Sequence, residues 1–201
     1  MAFEQYTAFY KDDSLVKKEI WTECISAPGK IIIKYGGKKN NSGMLFANDS
    51  MYSFDNGKMV DKRRQIHDLI VLGFDVYLQP VKKTFAQLKE LGYNIDKAYL
   101  DTMDNRAVYV VGAAKQDDTS AQFFIDKEQL YFLKLLKKKG DRIREIQFKN
   151  YKKIEDYWVA TQIVFLTNGK EDMIEDYFDI KIYNSVDENI YKPENFSKAF
   201  W

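Results

Sequence analysis

Turn-forming dipeptides recur along this chain at short intervals, and that spacing limits the fold more than any other feature. Pro28-Gly29, Gly36-Gly37, Asn48-Asp49 and Asn56-Gly57 punctuate the first third. Asp104-Asn105, Asp117-Asp118, Asp126-Lys127, Gly140-Asp141, Glu155-Asp156 and Asn168-Gly169 punctuate the second half. Asn-Gly pairs are the strongest of these signals, because a type I′ hairpin turn needs positive φ at both central residues. The segments between turns are rich in β-branched and aromatic residues. They read as strands at 19–26, 30–35, 44–47, 51–54 and 58–60, then at 97–103, 106–113, 120–126, 130–138, 142–152, 157–167 and 171–184. Neighbours joined by tight turns pair in order, so about ten strands should form one large antiparallel sheet. A sheet that large must curl, because strands twist.

One stretch breaks the pattern. Residues 65–78 are apolar without alternation, and Ile66, Leu69, Ile70 and Gly73 keep helical spacing. Pro80 opens a second amphipathic run, with Val81, Phe85, Leu88 and Leu91 on one face and Gly92 just past its end. Two helices are therefore expected, at 65–77 and 80–91. Their apolar faces have one obvious place to go, the concave side of the curled sheet. The first is either ordinary core or a mobile lid over a greasy hollow. The tail at 191–196 reads as irregular. No linker, composition break or repeat divides the chain, so a single domain spanning 1–201 is expected.

The search for chemistry mostly excludes. The chain has one cysteine, Cys24, and one histidine, His67, too few for a disulfide, a thiolate metal site or a Cys/His cluster. Cys24 reads as a strand residue and His67 as the first turn of a helix, so nothing forces a nucleophile pair. Cys24 also lacks the small apolar neighbours of a lipoprotein cleavage site. Acidic pairs at Asp12-Asp13, Asp117-Asp118, Glu171-Asp172 and Glu175-Asp176 fall at turns or strand edges and read as solvated. No phosphate loop, serine elbow or calcium loop is present. Thirty-one basic and thirty acidic residues leave a net charge of +1, which gives no electrostatic reason to expect nucleic acid. Lys137-Lys138-Lys139 reads as a solvated hairpin tip, and Lys62-Arg63-Arg64 as a charged loop before the first helix. No apolar run is long enough to span a bilayer, and the first residues lack the features of a secretory leader. The chain is then either cytosolic or begins after a removed leader. No catalytic residue, metal or cofactor is expected. The surplus is aromatic, with 14 Phe, 14 Tyr and 3 Trp, and an apolar cavity is one way to use it.

Several segments, taken in order, resemble the LolA superfamily of periplasmic lipoprotein carriers, and its outer-membrane lipoprotein-sorting-like members in particular. They are Trp21, then Ala27-Pro28-Gly29-Lys30 with Ile31-Ile32-Ile33, then the hairpin from Leu45 to Phe54. Mid-chain helices follow, and the close is Asp176-Tyr177-Phe178-Asp179-Ile180-Lys181-Ile182 with the Tyr191–Phe196 tail. The resemblance implies a mainly β protein with an α insertion, an unclosed half-barrel whose helices lie over an apolar cavity. It implies a non-catalytic, monomeric carrier of the acyl chains of lipid or lipoprotein. Such a carrier works in the periplasm between an inner-membrane donor and an outer-membrane acceptor. Trp21, Ile33, Phe46, Tyr52 and Phe54 on strands, and Ile66, Leu69, Leu72 and Phe74 in the helical stretch, are the expected lining. The strand residues carry a known hazard, since a one-residue slip in register swaps inside for outside. Carriers of this family place an arginine before the proline of the second motif, where it pins the lid. This chain has Ala27 there, with Arg63 and Arg64 as the candidate substitutes. Two alternatives stay open: a structural protein whose helices fill the barrel and whose partner is a protein, and an enzyme using the fold as a pocket.

Overall fold

A computed structural model describes residues 1–117 and 119–201. Asp118, half of one expected turn and one acidic pair, lies outside the described residues. Among the described residues there are thirteen strands in one sheet. They are β1 (Ala2–Lys11), β2 (Ser14–Ser26), β3 (Lys30–Tyr35), β4 (Gly43–Ala47), β5 (Ser50–Asp55) and β6 (Lys58–Arg64), then β7 (Ala98–Met103), β8 (Arg106–Val111), β9 (Gln122–Asp126), β10 (Phe132–Lys139), β11 (Arg142–Ile154), β12 (Tyr157–Thr167) and β13 (Lys170–Lys181). The order across the sheet is β6-β5-β4-β3-β2-β1-β13-β12-β11-β10-β9-β8-β7. Every strand lies beside its neighbour in sequence, with one exception. β6 and β7 are the two edges, and the helical stretch is the connection between them. The protein is thus mainly β, with an antiparallel sheet that is not closed into a barrel.

The hairpin chemistry holds at the turns. Asn56-Gly57 and Asn168-Gly169 have φ of 48° and 78° and of 51° and 78°, and Asp104-Asn105 has 51° and 60°. These are the positive angles a type I′ turn demands. Asp12-Asp13 also turns this way, with φ of 51° and 61°, and joins two strands of which the first was not expected. β1 escapes a reading by alternation because Gln5 and Thr7 point inward. They are buried together, the Gln5 amide donating to the Thr7 hydroxyl at 2.9 Å.

The helices are shorter than expected. α1 spans Asp68–Gly73 and a 3-10 turn follows at Asp75–Tyr77. The His67 side chain accepts from the Leu69 N–H and so starts the helix three residues late, while β6 has already used residues up to Arg64. Lys62, Arg63 and Arg64 are therefore strand residues paired with Tyr52, Met51 and Ser50, a correction to the loop reading. α2 spans Val81–Glu90. It buries Thr84, Gln87 and Leu88, whereas Val81 is 65% and Phe85 50% exposed, so the expected apolar face is only partly the buried one.

The chain divides into two compact units. The first holds Met1–Thr7, Lys18–Pro80 and Asp176–Trp201; the second holds Ala8–Lys17 and Val81–Glu175. In the second unit Lys137 is no solvated tip. Its amine donates to the Leu91 carbonyl at 2.9 Å and lies 4.6 Å over the Tyr93 ring. In the same unit Asp117 holds the Thr119 N–H and the hydroxyls of Thr119 and Ser120, which keep its carboxyl below the usual carboxylate range.

Candidate functional site

Register divides the first unit into two faces. In β2 and β3 the pairs Trp21–Tyr35, Glu23–Ile33 and Ile25–Ile31 alternate with Thr22–Lys34 and Cys24–Ile32. The first set continues through Ile33–Met44 and Ile31–Phe46, then Phe46–Met51 and Met51–Arg63. The second continues through Ile32–Leu45, Leu45–Tyr52 and Gly43–Phe54. Cross-strand partners point to the same side.

The structure therefore splits the expected lining. Trp21, Ile33 and Phe46 share one face and are buried there with Ile25, Ile31 and Met51. Tyr52 and Phe54 point to the other. Period-two alternation from Trp21 and Ile33 would have found Ile25 and Ile31, whereas separating Phe46 from Tyr52 takes the β4–β5 pairing register.

The second face is closed by the last part of the first unit. Phe54 stacks on Phe196, with centroids 4.0 Å apart and planes 2° apart. Cys24, Ile32 and Leu45 pack with Ile190, Tyr191 and Ala199, and Tyr52 lies against this cluster. Two 3-10 turns, Glu188–Tyr191 and Pro193–Lys198, present those residues. Lys34 is 1% exposed beneath them, its amine donating to the Ala199 carbonyl at 2.9 Å with the Phe196 and Trp201 rings beside it. Burial holds that amine below the usual lysine range. Burial also pushes the Cys24 thiol up, and the Tyr191 hydroxyl donates to its sulfur at 3.3 Å.

The first face is reached by the residue that precedes α1. This residue, His67, touches the Phe46 ring edge-on at 5.1 Å. Ile70, Val71 and Leu72 are buried, while Ile66, Leu69 and Phe74 are half-buried. His67 lies against Phe46 on one face and Cys24 sits on the other, so the sheet itself keeps the two apart.

A buried carboxyl group ties this segment to the sheet. Asp75, just past α1, is 1% exposed and accepts the Gly29 N–H at 2.8 Å. Gly29 belongs to the β2–β3 turn that begins Ala27-Pro28, so the tie joins that turn, which supplies a backbone donor, to the helical stretch, which supplies a carboxyl acceptor. Arg63 is engaged elsewhere, with Gln65 at 2.9 Å, Asp61 at 3.5 Å and the Met51 sulfur at 3.7 Å. Sequence reasoning missed Asp75. The signal was there, a lone acid in the apolar run between Gly73 and Leu78.

No family model and no curated protein sequence matches the chain significantly. Solved structures do match in shape. A LolA-superfamily protein from Nitrosomonas europaea superposes with a TM-score of 0.63 at 12% identity, over 95% of this chain and 89% of the other. A domain named for outer-membrane lipoprotein sorting, from Vibrio parahaemolyticus, gives 0.66 at 13% identity over 98% and 91%. A DUF1329-family protein from Desulfovibrio piger gives 0.60 at 12% identity over 95% and 88%. These likenesses show the fold.

Proposed function

From this LolA-like fold we propose that the protein is a non-catalytic carrier of acyl chains, those of a lipid or a lipoprotein, moving through the periplasm towards the outer membrane. The observation that carries the reading is the face of Trp21, Ile33, Phe46 and Met51, an apolar surface reached by the residue that precedes a six-residue helix. A helix that short has little stability of its own, so its position rests on side-chain ties such as Asp75. Displacing it exposes an apolar floor. Each methylene moved from water onto such a floor gains about 0.8 kcal/mol, so a long acyl chain gains on the order of 10 kcal/mol. A wall that is mainly apolar, with Glu23 as the one buried acid among its paired strand residues, holds such a chain and still gives it up to a better acceptor. Among the described residues no helix is long and apolar enough to cross a membrane, and no cluster of three or more His, Cys, Asp or Glu is placed to hold a metal. The donor and acceptor membrane proteins belong to the same proposal.

A second reading has its own support. Ile33, Phe46, Met51 and Leu72 are all buried, as they would be in a filled interior whose partner is a protein. Native mass spectrometry of the purified protein, followed by lipid extraction, separates the two. The carrier reading expects a retained acyl species near one equivalent, or its uptake from added fatty acid or a triacylated peptide. A clean apo mass that stays unchanged after both incubations overturns it.

A further inference from the structure

The second unit contains a pocket that acyl binding does not use. Its strands also have two faces. Leu135 pairs with Ile146 and Phe123, and Lys137 lies on the same side. Phe123 meets Tyr93 edge-on at 5.1 Å, so this side faces the segment following α2. Lys134 and its partner Gln147 point the other way, as do Lys149, Tyr151 and Trp158 along the β11–β12 ladder. A pocket of about 980 Å³ opens on that opposite side.

Its wall is aromatic and fixed. Tyr131 and Tyr151 stack with centroids 3.8 Å apart and planes 13° apart. The Tyr151 hydroxyl donates to the Phe132 carbonyl, and Arg106 donates to the Tyr131 hydroxyl at 2.9 Å. Trp158 stands edge-on to Tyr131 at 6.0 Å and is 45% exposed, so its indole remains open beside the pocket. The rest of the lining is polar but electrically balanced. Arg106 lies 4.0 Å from buried Asp126, and Lys134 lies 3.4 Å from Glu145 and 4.5 Å over the Phe124 ring. Lys149 is a third cation on the lining, and Asp104 and Glu128 join Asp126 as further carboxylates, so the charged lining residues sum to no net charge, which argues against an anionic ligand. Four carboxamides, Asn105, Gln129, Gln147 and Asn150, line the pocket, and each such group both donates and accepts.

An open indole, a rim of carboxamides and no net charge suit a ligand with an apolar ring face and a hydroxyl edge. We propose that this pocket binds a neutral oligosaccharide, one pyranose ring lying on Trp158 and its hydroxyls meeting the carboxamides. The volume lies at the upper end of the roughly 300–1,000 Å³ of small-ligand sites, which suits several sugar units better than one. The proposal stands apart from acyl carriage and survives its failure.

The test is a nitrogen-15 NMR titration with maltotetraose, cellotetraose and tetra-N-acetylchitotetraose, each to about 10 mM, a range that detects millimolar dissociation constants. At least one should give saturable shifts of the Trp158 indole and of the Gln147 and Asn150 carboxamides, with the Trp21 and Trp201 indoles unmoved. Trp158→Ala should weaken that binding about tenfold, since loss of an aromatic platform removes both stacking and buried area. The side chain is nearly half exposed, so the variant should fold, and its unchanged amide spectrum elsewhere is the control. No saturable shift with any of the three sugars overturns the proposal. So does undiminished binding by the variant, or a stronger response of the same resonances to inorganic phosphate.

Discussion

Substituting Asp75 by alanine removes the acceptor of the Gly29 N–H. A hydrogen bond to a charged group contributes about 1.5–3 kcal/mol net, and this one is short and buried. Taking about 2 kcal/mol, the population with α1 displaced should rise about thirtyfold. Asn keeps an acceptor oxygen but not the charge. A neutral bond contributes about 1 kcal/mol, so Asp75→Asn should lose about 1 kcal/mol and raise the population about fivefold. Hydrogen exchange reads this directly. The Val71 N–H is bonded to the His67 carbonyl at 3.1 Å and the Phe74 N–H to the Ile70 carbonyl at 3.2 Å. Their protection should fall by those factors, while the Tyr35 N–H, bonded to Ser42 at the β3–β4 connection, keeps its own. Protection of Val71 and Phe74 that is unchanged would refute the tie. A fall in step with Tyr35 would refute it too, because Asp75 would then support the whole unit and not the helix.

Two further outcomes follow from the first unit's other face. Burial lowers the Lys34 amine's pKa in the fold, so between that value and the unfolded one, about 10.4, the unfolded chain holds more protons. Wild-type stability should therefore gain on that of Lys34→Met as pH rises through this alkaline window; a pH-independent difference in urea unfolding would contradict it. A Cβ on Gly43 would lie 2.0 Å from the Ile33 carbonyl oxygen, so Gly43→Ala must push β3 and β4 apart and should cost at least about 2 kcal/mol. An unchanged thermal midpoint would show that the strands give way without cost.

The strand-and-turn order could be read from the sequence because its signals are local. Asn56-Gly57 and Asn168-Gly169 prescribe their own backbone angles, and the β-rich runs between turns need no tertiary information. β1 was illegible because Gln5 and Thr7 are buried polar residues joined by one hydrogen bond, which no alternation of apolar residues records. Of the residues expected as lining, Trp21, Ile33 and Phe46 share one face while Tyr52 and Phe54 lie on the other, a division that depends on a register only pairing fixes. The helical stretch gave its existence and not its length, since where α1 starts is decided by the His67 side chain and by how far β6 extends. The pocket beside Trp158 was invisible, because Arg106, Tyr131 and Tyr151 meet only through strand pairing.

The stack of Phe54 on Phe196 has a consequence for how the chain is made. The cluster closing the second face of the first unit combines Cys24, Ile32 and Leu45 with residues 190–199, and the Cys24–Tyr191 contact spans 167 positions. All of residues 81–175 lie between in the order of synthesis. At ribosomal rates of about 5–20 residues per second, roughly 7–27 s pass between the emergence of Phe54, the last strand residue of that apolar face, and the arrival of Ile190, the first of its cover. The first unit begins to emerge first and is finished last, so the newborn chain must keep Ile32, Leu45 and Phe54 out of the wrong company for the whole of that interval.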